Sequence, residues 1–72
     1  MNQIMIQTEH ITLAAFLKFC GAADSGGEAS GVIADGTVCV NGEICRQRGK
    51  KLRPGDIVSL DDRQYEVRAQ CV

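Results

Sequence analysis

The sequence predicts an α+β domain in which two short antiparallel helices pack on a small, mostly antiparallel sheet. Three observations carry that expectation. Apolar residues recur at helical spacing behind hydroxyl caps at Thr12 and Ser25. An Asn-Gly pair, Asn41-Gly42, separates two short β-forming runs. Two further apolar runs flank Asp61-Asp62 near the end of the chain. With 72 residues, 44 % of them hydrophobic, the chain has room for one domain, expected over residues 1–72. A domain of this size buries only roughly 60–65 % of its unfolded surface, so its core is small.

Residues 3–7 (Gln-Ile-Met-Ile-Gln) alternate weakly and read as a short strand. Thr12 is a good N-cap, and Leu13, Phe16, Leu17 and Cys20 follow at i, i+3, i+4 and i+7, one apolar stripe on a two-turn helix ended by Gly21. A second helix opens at Ser25, which stands three residues before Glu28 as in a capping box. Ala29, Val32 and Ile33 form its stripe, and Gly36 is its natural stop. Gly26, Gly27 and Gly31 each cost up to about 1 kcal/mol relative to alanine, so packing must hold this helix.

Thr37-Val38-Cys39-Val40 and Glu43-Ile44-Cys45 then form a hairpin, because both residues of Asn41-Gly42 accept positive φ. A two-residue turn pairs Val40 with Glu43, Cys39 with Ile44 and Val38 with Cys45, which puts Cys39 and Cys45 on opposite faces. Residues 46–53 read as a loop with Leu52 as its apolar anchor, and Pro54-Gly55-Asp56 as a turn. Ile57 to Leu60 is a strand, Asp61-Asp62 a tight turn, and Gln64 to Ala69 a returning strand with Tyr65 and Val67 on one face. The expected core is Leu13, Phe16, Leu17, Ala29, Val32, Ile33, Val38, Val40, Ile44, Leu52, Ile57 and Val67.

The formal net charge is −1, from eight basic and nine acidic side chains, and the sum alone argues against a polyanionic ligand. The distribution argues the other way. Arg46, Arg48, Lys50, Lys51 and Arg53 fall within eight consecutive positions that hold no acidic residue. Such a patch attracts a polyanion that the average charge would not. The first residues have neither a basic region nor a long apolar run, so no signal peptide is expected, and no stretch approaches about 18 apolar residues. A cytoplasmic location without membrane contact follows as the expectation.

The cysteines, Cys20, Cys39, Cys45 and Cys71, include no closely spaced pair of the kind that holds structural zinc. Reduced thiols acting as small hydrophobes are expected, with no metal and no cofactor; a zinc-stabilised fold with His10 as an added ligand is the rival. His10 is the sole histidine, and no motif sets a Ser, Cys or carboxylate beside it. There is no glycine-rich nucleotide loop and no nucleophile elbow, so no enzymatic activity is expected.

From Thr12 to Val58 the chain resembles the S4 RNA-binding domain family. The pieces that carry the resemblance are Leu13-Ala14-Ala15-Phe16-Leu17-Lys18, Ser25-Gly26-Gly27-Glu28-Ala29, Gly36-Thr37-Val38-Cys39-Val40-Asn41-Gly42 and Pro54-Gly55-Asp56-Ile57-Val58, in the family's order. Arg48 to Asp56 and the short length look like the single-domain YbcJ-like branch. The resemblance implies a non-catalytic RNA-binding domain whose two helices, with the turn beyond them, meet phosphates of structured RNA, ribosomal RNA among the candidates. Two departures stand out. Many members carry Arg where this chain has Thr12, and Ser-Arg where it has Ser25-Gly26. RNA binding has therefore either weakened or moved toward residues 46–53.

The residues expected to contact RNA are Lys18, Arg46, Arg48, Lys50, Lys51 and Arg53, with Arg48, Lys50 and Lys51 foremost because Arg46 or Arg53 can pair with Asp56 or Glu43. Ser25, Gly26 and Gly27 are a second candidate phosphate contact, since a helix start without bulky side chains offers bare N–H groups, although Glu28 nearby opposes an anion. Contacts to phosphate and shape need few aromatics, and the chain has only one Tyr and two Phe. A monomer is expected. The alternative function is a protein–protein interaction module on the same fold that has lost RNA binding, favoured by the acidic balance and by Phe19 lying off the helix stripe. A sulfur- or protein-conjugating carrier would need a Gly-Gly end, and this chain ends Gln70-Cys71-Val72. In an RNA titration, moving backbone amide resonances at Gly26 and Gly27 would support the second phosphate contact; unmoved resonances reject it.

Overall fold

The computed structural model describes residues 2–69; Cys71 and the Gln70-Cys71-Val72 end, on which two of the expectations above bear, lie outside them. The elements in chain order are β1 (Asn2–Ile6), β2 (Ile11–Thr12), α1 (Leu13–Phe19), α2 (Gly26–Ala34), β3 (Val38–Val40), β4 (Glu43–Ile44), β5 (Lys51–Leu52), β6 (Ile57–Leu60) and β7 (Arg63–Ala69). Five strands form one sheet in the order β1-β7-β6-β3-β4, and β2 and β5 form a separate two-stranded ribbon. All pairings are antiparallel except β1 with β7. This is the expected α+β class, two helices on a mostly antiparallel sheet.

Local chemistry sets the ends of the elements. Thr12 caps α1, its hydroxyl accepting from the Ala15 N–H at 3.4 Å, and Ser25 caps α2, accepting from the Glu28 N–H at 3.2 Å. The hairpin has the expected register, Val40 opposite Glu43 and Cys39 opposite Ile44, with Asn41 at φ 54° and Gly42 at φ 86°. Asp61 (φ 55°) turns the chain from β6 into β7.

The core joins Leu13, Phe16 and Leu17 of α1 and Ala29 and Ile33 of α2 to the inner sheet face, which presents Ile6, Val38, Val40, Val58, Leu60, Tyr65 and Val67. Phe16 meets Tyr65 edge to face, ring centroids 6.3 Å apart. Three expected core residues are placed differently. Ile44 is 59 % exposed, because it stands opposite Cys39 and so faces away from Val38 and Val40. Ile57 pairs with Glu66 on that same outer face, and its neighbour Val58 takes the buried position opposite Tyr65. Val32 is half-buried at the edge of the core.

Leu52 is completely buried, although it lies in the middle of the basic stretch. Leu52→Ala should therefore lower unfolding free energy by about 2–5 kcal/mol, whereas Ile44→Ala should stay within about 0.5 kcal/mol of the parent. Urea unfolding of the two variants checks the contrast.

Candidate nucleic-acid interface

The basic segment leaves the sheet at Cys45, whose N–H donates to the Val38 carbonyl at 2.9 Å, and rejoins it at Ile57. The stretch was expected as a loop anchored by Leu52; its middle is a short strand fastened to the start of α1. Leu52 pairs with Ile11 and Lys51 with Thr12. The Leu13 N–H donates to the Lys50 carbonyl at 2.8 Å and the Ala14 N–H to the Arg48 carbonyl at 3.1 Å. These are donors that the first turn of a helix leaves unsatisfied. The fastening uses main-chain groups and the buried Leu52, so the cationic side chains stay free.

Arg46, Arg48, Lys50, Lys51 and Arg53 are all exposed. Among the described residues the one ion pair is Arg68 to Glu66, at 3.4 Å on the far strand β7. The expected pairing of Arg46 or Arg53 with Asp56 or Glu43 is therefore not made. Asp56 binds main chain and amide instead: its Oδ2 accepts from the Arg53 N–H at 2.8 Å and its Oδ1 from the Asn41 amide at 3.2 Å. Asn41 completes the link, its Oδ1 accepting from the Ile57 N–H at 2.9 Å and its own N–H donating to the Ile57 carbonyl at 2.7 Å. Asn41-Gly42 and Pro54-Gly55-Asp56 were each legible as turns; that they lock together around the end of the basic segment was not.

Lys18 is exposed and lies four residues beyond Ala14 on α1, hence on the same helix face and about 6 Å along the axis. Arg46 reaches the end of α2. Its guanidinium lies over Gly36, so close that a Cβ there would sit 2.7 Å from Nη2, and Gly36 also holds φ at 79°. α2 has no basic residue in its last turn, so Arg46 supplies the positive charge that the carbonyl end of a helix favours. Ser25, Gly26 and Gly27 are exposed at the start of α2, with the Ser25 hydroxyl engaged by Glu28; no hydrogen bond joins them to the basic segment among the described residues.

Between the β3–β4 hairpin and the basic segment runs a groove of about 550 Å³ whose walls include Glu43, Ile44, Arg46, Gln47 and Lys50. Glu43 and Ile44 were not among the residues expected at the interface. The described cysteines are free thiols, and burial pushes the Cys20 thiol above its ordinary value, opposed by hydrogen bonding to the backbone at Ala22 and Cys20. No three His, Cys, Asp or Glu among the described residues are grouped to hold a metal, and none of the described helices is long and apolar enough to cross a membrane.

Residues 4–68 match the family model described as the S4 domain. The chain belongs to the S4 domain family. Over 60 residues this S4 domain is 43 % identical to the "Probable ribosome maturation protein RlbA" of Bacillus subtilis (strain 168), a match that covers 83 % of this chain and 84 % of the relative. Its fold is similar to that in the crystal structure of the 30S ribosomal protein S4e from Thermoplasma acidophilum, with a TM-score of 0.63 and 22 % identity over 83 % of this chain. At that identity the likeness is one of fold, and the S4 domain spans about a third (32 %) of the S4e chain.

Removing the Asp56 carboxylate leaves the Arg53 N–H without its acceptor. In Asp56→Ala the Arg53 amide should exchange with solvent roughly 5–30-fold faster, the equivalent of about 1–2 kcal/mol. Hydrogen-exchange NMR measures this, and the Val58 amide inside β6 should change less.

Proposed function

We propose that this protein is a non-catalytic binder of structured RNA, with ribosomal RNA the target class, acting in the cytoplasm as a single-domain monomer. The observation that carries the reading is the group of five exposed cations, none in an ion pair among the described residues, on a segment whose backbone is fixed to α1. Held in this way, the side chains meet successive phosphates with little ordering of the chain left to do on binding. Arg48, Lys50 and Lys51 are the principal phosphate contacts and Lys18 extends them along α1. Arg53 follows, and Arg46 divides its charge between RNA and the end of α2. Ser25, Gly26 and Gly27 form the secondary contact.

Family membership supports an RNA ligand, and the name of the Bacillus subtilis relative supports a place in ribosome maturation. The segment also answers one of the two departures from the family pattern, since its backbone is fixed at the start of α1, where Thr12 stands in place of Arg. The net charge of −1 is no obstacle, because at an ionic strength near 0.15 M charges beyond about 8 Å are largely screened and the local patch dominates. A second reading, a protein-interaction module, has one observation in its favour: Phe19, at the end of α1, is 62 % exposed.

Neutralising three to five phosphates predicts a log–log slope of RNA affinity against salt of about −2 to −4. Wild type should show that slope on ribosomal RNA hairpins, and Arg48→Glu/Lys50→Glu/Lys51→Glu should lose most of it while unfolding at a similar temperature, since these side chains are exposed and outside ion pairs. A wild type without salt-dependent binding would overturn the RNA reading and favour the protein-interaction module.

A further inference from the structure

We infer that Phe19 is a stacking platform for one unpaired base of the bound RNA, on the same exposed side of α1 as Lys18. The inference rests on the RNA-binding reading above and adds to it a preference for RNA that carries an unstacked base. Of the chain's two Phe and one Tyr, Phe16 and Tyr65 are buried against each other, and Phe19 alone reaches the surface, 62 % exposed. Its ring has no part in the core.

Helix geometry sets what stands around the ring. Leu13, Phe16 and Leu17 turn one side of α1 to the core. At 3.6 residues per turn, Ala15, Lys18 and Phe19 share the side away from it, and all three are exposed. Lys18 and Phe19 stand three and four residues beyond Ala15, so each is its neighbour on the helix surface, and Ala15 itself presents only a methyl group. After Phe19 the chain turns through Gly21, which is exposed at φ 82°, and a Cβ there would meet nothing within 4 Å. A ring and an ammonium group thus flank a low surface that has room for a planar ligand.

The surroundings favour a base over a protein partner. A docking protein is met by a contiguous apolar patch, and Phe19 belongs to none. The other large apolar side chains that are exposed, Met5 and Ile44, stand on β1 and β4, the two edges of the sheet. Met5 alternates with the buried Ile6, and Ile44 lies opposite Cys39, so both face away from the helices. One ring beside one ammonium group matches a single nucleotide instead. The ring covers the flat face of a base splayed out of a loop or bulge, and Lys18 meets the phosphate that comes with it. A fully paired stem keeps its bases stacked on one another, so the platform is idle there. Every base has a π-face, so the site selects an unstacked base and not a sequence.

The test compares three RNAs by fluorescence anisotropy: a fully paired stem, the same stem with one bulged adenosine, and the same bulge with an abasic nucleotide, which keeps the phosphate and removes the base. Wild type should bind the bulged-adenosine stem about fivefold or more tightly than the abasic one. Phe19→Ala and Phe19→Leu should both lose that advantage, because leucine keeps apolar bulk without a ring, and Phe19→Tyr should retain it. All three variants should keep the affinity for the paired stem and the salt slope, since none removes a cation. The chain has no Trp, so Phe19→Trp introduces a sole emitter, whose fluorescence should be quenched by the bulged-adenosine stem and not by the abasic one. Equal wild-type affinity for the bulged and abasic stems, with the salt slope intact, would overturn the platform and leave the phosphate reading standing. An advantage that survives Phe19→Ala or Phe19→Leu would overturn it too. Absence of salt-dependent binding to any of the three RNAs would remove the phosphate reading, and the platform with it, and would return Phe19 to the protein-interaction module.

Discussion

Two main-chain hydrogen bonds, from Leu13 to the Lys50 carbonyl and from Ala14 to the Arg48 carbonyl, hold the candidate interface in place. A helix must find acceptors for its first N–H groups, and acidic side chains often serve. α1 has no acidic residue in its first turn; carbonyls from a cationic segment do the work together with the Thr12 hydroxyl. The helix start is thereby satisfied without a carboxylate beside the cations. The β2–β5 ribbon and the buried Leu52 secure the same segment from its other side. A stretch of five like charges would otherwise repel itself and extend, so its fixed path is a consequence of this fastening.

The second point of control is the Asn41–Asp56 link. Two turns fifteen residues apart are joined by one amide–carboxylate contact, and each partner also binds main chain: Asp56 at Arg53, Asn41 at Ile57. In consequence Asp56 is close to Arg53 in sequence and in space without neutralising its guanidinium. The same residues that fold the end of the segment keep an acid from silencing it. Arg46 shows the opposite compromise, since its guanidinium lies over Gly36 at the end of α2 and so takes part in the fold as well as in the charged surface.

These contacts explain how a chain with a net charge of −1 carries a coherent cationic surface. The acids of the sheet are kept away from it, Glu66 with Arg68 on β7 and Asp61-Asp62 in the β6–β7 turn. Glu43 is the exception: it lines the same groove as Arg46 and Lys50. The surface thus combines exposed positive charge with one mixed groove, and the fold supplies both from a single hairpin and the segment that follows it.

Much of this was legible in the sequence, because it depends on neighbours in the chain. The caps at Thr12 and Ser25, the positive φ of Asn41 and Gly42, the hairpin register and the strand over Ile57–Leu60 all follow from short-range sterics and hydrogen bonding. The concentration of charge at residues 46–53 and the resemblance to the S4 family were also readable there. Which face of each strand is covered was not. Period-two alternation says that Ile57 and Val58 point opposite ways, but only pairing with β7 puts Val58 beside Tyr65 in the core and Ile57 beside Glu66 outside it. Ile44 was misplaced against the hairpin register itself, which sets it opposite Cys39 and so on the face away from Val38 and Val40. The parallel pairing of β1 with β7, the β2–β5 ribbon and the Asn41–Asp56 link join residues far apart in sequence. Sequence by itself therefore determined the family, the local elements and the charge; tertiary structure decided where the cations are held and what stands beside them, because those depend on hydrogen bonds and burial between segments that no local pattern connects.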